Sequence, residues 1–381
     1  MKTTTKLLLL SLLLMITMGA TYSTTHTSLV PPVKRKIQIA ILFDTSGSMQ
    51  GLIEQAKSTI WQVVNSASKL TVNGEIPELE ISLYDYGNSG IKTANWIRKQ
   101  TDLITDLDSI SGQLFSLTID GGEEYCAAVI QSALKDLKWS SNPEDLKIIY
   151  IAGNEMFNQG PIDYKKILKD AAVENIIVNT VYCGPYEQGV RELWLDAAQQ
   201  GQGSYFNIDA NQEVVHYATP YDNELNVYSD SLNATYVGYG EEGQYREQKQ
   251  KKEDANAFSK GAAVSADRAV AKSNANYKNS SWDLVDGYKD GSVNLEELKQ
   301  EQLPDHLKNK TPEQIEAYIK TKNAERLLYQ SKIREISIKR NQFIEEEKKK
   351  HAAEKGLNDL GAAIQKSLFE YAQKNGYSFK E

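Results

Sequence analysis

Residues 36–50 read Lys-Ile-Gln-Ile-Ala-Ile-Leu-Phe-Asp-Thr-Ser-Gly-Ser-Met-Gln, an apolar run that ends in an aspartate and a small hydroxyl-rich turn. Ile37 to Phe43 is apolar on both faces, which is the pattern of a strand covered on both sides. The turn is followed at once by Leu52, Ala56, Ile60, Val63 and Ala67, spaced three and four apart as on one face of a helix. Working outward, β-rich runs recur at 79–86, 91–97, 146–152, 176–182 and 204–208. Helical periodicity fills two of the intervals, through Ala128, Ile130, Leu134 and Leu137 and then Tyr164, Ile167, Leu168 and Ala171. Alternating strands and helices with apolar strands predict a doubly wound α/β domain with a mostly parallel sheet over residues 36–208.

In such a sheet, ligands bind outside the carboxyl ends of the strands. Asp44, Ser46 and Ser48 fall there. One carboxylate and two hydroxyls in a tight turn offer hard oxygen donors to an octahedral cation, so Mg²⁺ or Mn²⁺ is the expected cofactor. The competing reading is that these side chains only cap the following helix and tie the loop.

A strand, Asp-Thr-Ser-Gly-Ser-Met and an amphipathic helix together resemble the metal-ion-dependent adhesion site (MIDAS) of von Willebrand factor type A (VWA) domains, of the exported bacterial kind. The resemblance covers residues 36–208. It implies a non-catalytic binding module whose metal keeps one coordination position open for an acidic residue of a protein partner. It also implies a Thr from a later loop and an Asp at the next strand end. Here the loop reads Asp120-Gly-Gly-Glu123-Glu124, with Glu123 in place of the Thr, and the strand end reads Ile151-Ala-Gly-Asn154-Glu155, with Asn154 in place of the Asp. A glutamate there would take the partner's position, so such a site would hold metal yet recruit acidic ligands poorly.

Of 381 residues, 40% are hydrophobic and 25% charged, as in ordinary globular proteins. The net charge of −8 disfavours nucleic acid as a partner. Lys2, Lys6 and the apolar run Leu7 to Met18 have the layout of a secretory signal peptide, assigned to residues 1–23, with cleavage after Ala20 or Ser23. The mature protein is then expected in the periplasm or secreted, without a membrane span and with a protein partner outside the cytoplasm. Adhesion and envelope assembly are both open, with a periplasmic scaffold favoured. Cys126 and Cys183 fall at the same sheet edge and are a candidate disulfide. Of the four histidines, His26, His216, His306 and His351, none lies in the α/β stretch, so hydrolysis by a Ser-His or Cys-His pair has no base there. Metal-assisted hydrolysis with Glu123 or Glu155 as base is the remaining enzymatic alternative.

Residues 209–381 form a mostly helical C-terminal region. Residues 212–280 read as polar, Ala-rich helix broken at 237–244 and near Gly261. Thr311, Pro312 and Gln314 spell a capping box, opening a long helix with sparse apolar residues and no sustained heptad. Asp286 to Glu297 imitates a calcium loop, but Tyr288 stands where a third oxygen is needed, so it is read as a turn between helices. Trp282 and Leu284 are assigned to the core. A fragment ending near residue 210 is expected to fold by itself.

Overall fold

A computed structural model describes residues 34–209, 214–350 and 359–379. The proposed signal peptide and His26 and His351 lie outside the described residues. In chain order the first half comprises β1 (Lys36–Asp44), α1 (Gln50–Ala67), β2 (Leu70–Thr71), β3 (Glu78–Tyr86), β4 (Ile97–Lys99), α2 (Leu107–Ser116), α3 (Cys126–Asp136), β5 (Leu146–Gly153), α4 (Tyr164–Val173), β6 (Ile176–Cys183), α5 (Tyr186–Arg191), α6 (Trp194–Gln200) and β7 (Gln202–Ile208). The main sheet runs β4-β3-β1-β5-β6-β7, all neighbours parallel except the antiparallel edge pair of β4 and β3. This is the mostly parallel, doubly wound sheet expected from the sequence.

Alternation along β1 feeds two cores, because successive side chains point to opposite faces. Ile37, Ile39, Ile41 and Phe43 enter one cluster with residues of α1 and α2. Ala40 and Leu42 enter the other with residues of α3, α4 and α6. The run 91–97 differs from expectation: Asn95 and Trp96 take left-handed φ values of 60° and 50°, and strand begins only at Ile97. Asn88 ties this loop by accepting from Gly90 N at 2.8 Å, and Ile91 is buried without belonging to a strand.

The second half contains α7 (Asp222–Asn233), α8 (Gly243–Ser259), α9 (Ala262–Lys272), α10 (Leu284–Lys289), α11 (Pro312–Lys350), α12 (Leu360–Lys374) and β8 (Ser378–Phe379), the last pairing with β2. The breaks fall where glycines foretold them, with Gly261 at φ +111° between α8 and α9. The capping box forms: Thr311 N donates to Gln314 Oε1 at 3.0 Å and Gln314 N to Thr311 Oγ1 at 3.4 Å. α11 runs 39 residues, about 58 Å at 1.5 Å per residue. It buries one stripe, Ile315, Ile319, Arg326, Ile333, Ile336 and Arg340.

Two arginines on a stripe otherwise made of isoleucines need full pairing, since an uncompensated buried charge is costly. Arg326 donates to Asp283 and Asp286, both at 2.7 Å, and Arg340 to Asp222 and Asp267, both at 2.7 Å. Arg268 of α9 likewise bridges Asp108 of α2 and Asp254 of α8 while stacking over Trp61 of α1. The calcium-loop imitation is resolved by the same pairing. Asp286 is spent on Arg326, Tyr288 donates to Glu316, and Gly291 turns the chain at φ +80°. Trp282 and Leu284 are buried in core clusters.

Strand signals end at Ile208, yet the helical half shares the first core. Leu225, Leu232, Val264, Ile333, Leu360, Ile364 and Leu368 belong to the same cluster as β1. Residues Arg35–Glu381 group as one compact unit. In particular, α12 lies on α1, β5 and β7.

Candidate metal centre

The centre is built where β1 stops. Asp44 is fully buried, and its Oδ1 accepts from Ser46 N at 2.7 Å. Its Oδ2 is buried and has no hydrogen-bond partner. A capping role for the turn is not what forms: the residue before α1 is Met49, and no side chain caps the helix. Instead, Ser46 Oγ lies 3.4 Å from Ser48 Oγ, and Asn154 Nδ2 donates to Ser48 Oγ at 2.9 Å. Asp44, Ser46, Ser48 and Asn154, named from sequence, are therefore brought together across the ends of β1 and β5.

Glu123 is not. It is solvent-exposed, whereas its neighbour Glu124 is buried and lies with Asp44 against Gly87. Two glycines put it there. A Cβ on Gly122 would stand 2.6 Å from the Gly87 carbonyl oxygen, so only glycine lets this loop close down on the end of β3. At Gly87, with φ +74°, a Cβ would stand 2.8 Å from Glu124 Cγ and 3.0 Å from Asp44 Oδ1. Matching by position names Glu123, whereas the carboxylate that the structure sets beside Asp44 is that of Glu124, and the Gly-Gly step ahead of it is the signal that the loop makes a close approach.

Burial raises the Asp44 carboxyl to about 7, and the charges of Glu124 and Glu155 push the same way, against the hydrogen bonds from Ser46. Glu124 is raised as well, by burial first and then by Glu155. Carboxylates that repel one another around an unpartnered buried oxygen, flanked by hydroxyls and an amide, form a donor set suited to a hard divalent cation. Among the described residues no group of three or more His, Cys, Asp or Glu side chains is arranged to hold a metal ion, and the other oxygens at this strand end belong to Ser46, Ser48 and Asn154.

No family model matches the chain, and no curated protein does. Among solved structures it is similar to proximal thread matrix protein 1 from the mussel byssus, at 14% identity over 47% of this chain and 43% of that one, with a TM-score of 0.36. A second structure of that protein is described as having a zinc-occupied MIDAS motif. The chain is also similar to the SpRpn10 VWA domain, at 18% identity over 47% of this chain and 99% of the other, TM-score 0.35. The conserved hypothetical protein BatB from Bacteroides thetaiotaomicron matches at 16% identity over 45% and 90%, TM-score 0.36. The chain thus spans less than half of the mussel protein. The likeness is one of fold.

The cysteines sit beneath the centre as free thiols, so the expected Cys126–Cys183 disulfide is not formed. Cys126 Sγ lies 3.6 Å from Tyr86 Oη, which also donates to the Ala152 carbonyl at 3.1 Å. Burial pushes both thiols well above their ordinary range, with Asp44 adding to the effect. Thiolate is the reactive form, so both are expected to be slow with Ellman's reagent in the native protein. Two equivalents are expected to react after unfolding without reductant. No reaction under those conditions would establish a bridge.

Proposed function

We propose that this chain is a non-catalytic binding module of the bacterial envelope that engages a partner protein through a divalent-metal site of MIDAS type. The ligands are Asp44, Ser46, Ser48 and Asn154, with Glu124 rather than Glu123 as the second carboxylate, and the ion is Mg²⁺ or Mn²⁺. One observation carries the reading: a fully buried aspartate whose second oxygen has no partner, at the carboxyl end of the central strand of a parallel sheet. Secretion by residues 1–23 and a periplasmic scaffold role belong to the same reading, with surface adhesion as its variant. Among the described residues no helix is long and apolar enough to cross a membrane.

Hydrolysis is disfavoured by the donor set. Glu155, the exposed candidate base, stands beside two further carboxylates and has no histidine of the α/β half to share a proton with. Calorimetric titration with Mg²⁺ and Mn²⁺ is expected to give saturable binding to the full chain and none to Asp44→Ala. Ser48→Ala, which removes a neutral donor, should weaken binding by about tenfold, roughly 1–2 kcal/mol. Equal, negligible heats from wild type and Asp44→Ala would sink the metal reading.

A further inference from the structure

At the carboxyl ends of β1, β3 and β5 and in the loop before α3 stand Asp44, Asp120, Glu123, Glu124, Glu155 and Asp163 against a single lysine, Lys92. Of the nearby basic side chains, Arg98 is paired with Asp85 at 2.7 Å and Lys165 lies 3.9 Å from Asp196, while Arg191 at the end of α5 is exposed and lies between Glu187 and Glu192 in sequence. A divalent ion bound by Asp44 and Glu124 balances those two charges and leaves the exposed Asp120, Glu123, Glu155 and Asp163 unbalanced. The rim of the loaded site therefore stays negative, which disfavours an incoming carboxylate and attracts cations.

Acidic side chains alone would not make a site. The independent observation is Asp44, completely buried with an unpartnered Oδ2, held with Glu124 against the same Gly87. The loops after β3 and β5, the loop before α3 and the start of α5 carry surfaces suited to long cationic side chains. Trp96 and Tyr125 meet edge-on with centroids 5.5 Å apart, and Met156 and Tyr186 are 45% and 48% exposed. Aromatic faces and apolar side chains receive the stems and heads of Lys and Arg.

We infer that the partner segment bound at this face is basic, rich in Lys and Arg, and not the acidic segment that an adhesion-type site would select. The inference rests on the proposed binding function and moves the partner's contacts from the ion to the carboxylates around it. Glu124 supplies from within the chain the carboxylate that such an ion would otherwise take from a partner, and Glu123 and Glu155 select the partner's charge.

The test is fluorescence anisotropy of the full chain with three labelled peptides of equal length, Lys/Arg-rich, Glu/Asp-rich and neutral, each with Mg²⁺ and with chelator. The basic peptide should bind, and the acidic and neutral ones should not. Glu123→Gln with Glu155→Gln should weaken the basic peptide about tenfold, while Glu345→Gln with Glu346→Gln on α11 should leave it unchanged. Equal weakening by both pairs would reduce the effect to net charge and overturn the inference. Mg²⁺-dependent binding of the acidic peptide would also overturn it while upholding the metal-site function. No peptide binding by a chain that takes up Mg²⁺ would overturn the inference alone. Selective capture of the basic peptide by a chain that takes up no Mg²⁺ would uphold the charge selectivity and sink the metal reading.

Discussion

A fragment ending at Asp209 is expected to lose cooperative unfolding, and joining Asp209 to Asp359–Phe379 through a short flexible linker is expected to restore it. The reason is α12. Leu360, Ile364, Leu368, Tyr371 and Tyr377 are buried in the core that also holds Ile39, Ile41 and Phe43 of β1. At roughly 1.5–3 kcal/mol per large apolar side chain, their loss is on the order of 10 kcal/mol, comparable with the whole stability margin of a domain. Polar groups would be stranded too. Tyr150 Oη meets Ser367 Oγ at 2.8 Å, Tyr371 Oη donates to Asn179 Oδ1 at 2.9 Å, and Tyr377 Oη donates to the Lys36 carbonyl at 2.8 Å. The splice is geometrically short. Gln55 Nε2 donates to the Asp209 carbonyl at 2.7 Å, and Gln55 Oε1 accepts from Leu360 N at 3.3 Å, so one side chain spans the point of exit and the point of return. The spliced protein should melt below the full chain, because it exposes the face of α1 around Trp61 that α9 and Arg268 cover. Circular dichroism against temperature reads all three. A cooperative transition of the Asp209 fragment close to that of the full chain would refute the account.

That arrangement marks where sequence reading stopped. Strands buried on both faces carry local signals, so β1, β3, β5 and β6 were legible from apolar runs alone, and α11 from its capping box. The place of α12 was not. Its Leu360, Ile364 and Leu368 are spaced as on any amphipathic helix, and nothing local says that they return across some 150 residues to lie on α1. Gly361 fits there because a Cβ would stand 2.8 Å from that of Thr59, a contact that appears only in three dimensions. α2 was missed for a different reason. It starts at Asp106, which caps by accepting from Ser109 N, and stops at Leu117; Leu107, Ile110 and Leu114 keep helical spacing, but Ser109, Ser111, Gly112 and Ser116 between them are residues that favour turns.

The residues that gather at the end of β1 were legible in part. Asp44, Ser46, Ser48 and Asn154 follow from strand ends, which sequence marks well. Glu124 depends on how tightly the Gly121-Gly122 step folds onto Gly87, and loop closure has no periodic signature. The two cysteines share that sheet edge as the sequence suggests, but both are free, and Cys126 lies on the Tyr86 hydroxyl.

Asp44→Asn is expected to stabilise the metal-free protein and to abolish its response to Mg²⁺. The substitution keeps an acceptor for Ser46 N and removes a charge that burial, Glu124 and Glu155 all oppose. With the carboxyl raised from 3.8 to about 7, the penalty at alkaline pH approaches 4 kcal/mol at about 1.4 kcal/mol per unit, and relaxation brings a gain of about 2–4 kcal/mol within reach. The pH dependence has a fixed sign. A folded-state value above the unfolded one means that the protonated form's contribution is complete below pH 4 and is lost as pH rises through about 7. Metal-free wild type should therefore gain stability as pH falls from 8 towards 5, and Asp44→Asn should lack that component. With Mg²⁺ the difference narrows and then reverses as the ion is raised, because it competes with the proton and stabilises the ionised wild type by RT ln(1 + [Mg²⁺]/Kd), about 2.7 kcal/mol at a hundredfold and about 4 at a thousandfold excess over Kd. Urea unfolding at pH 8 and pH 5, with Mg²⁺ and with chelator, separates these terms. A variant less stable than wild type in chelator at pH 8 would mean that Asp44 serves mainly to tie its loop through Ser46. An undiminished Mg²⁺ response would place the ion elsewhere.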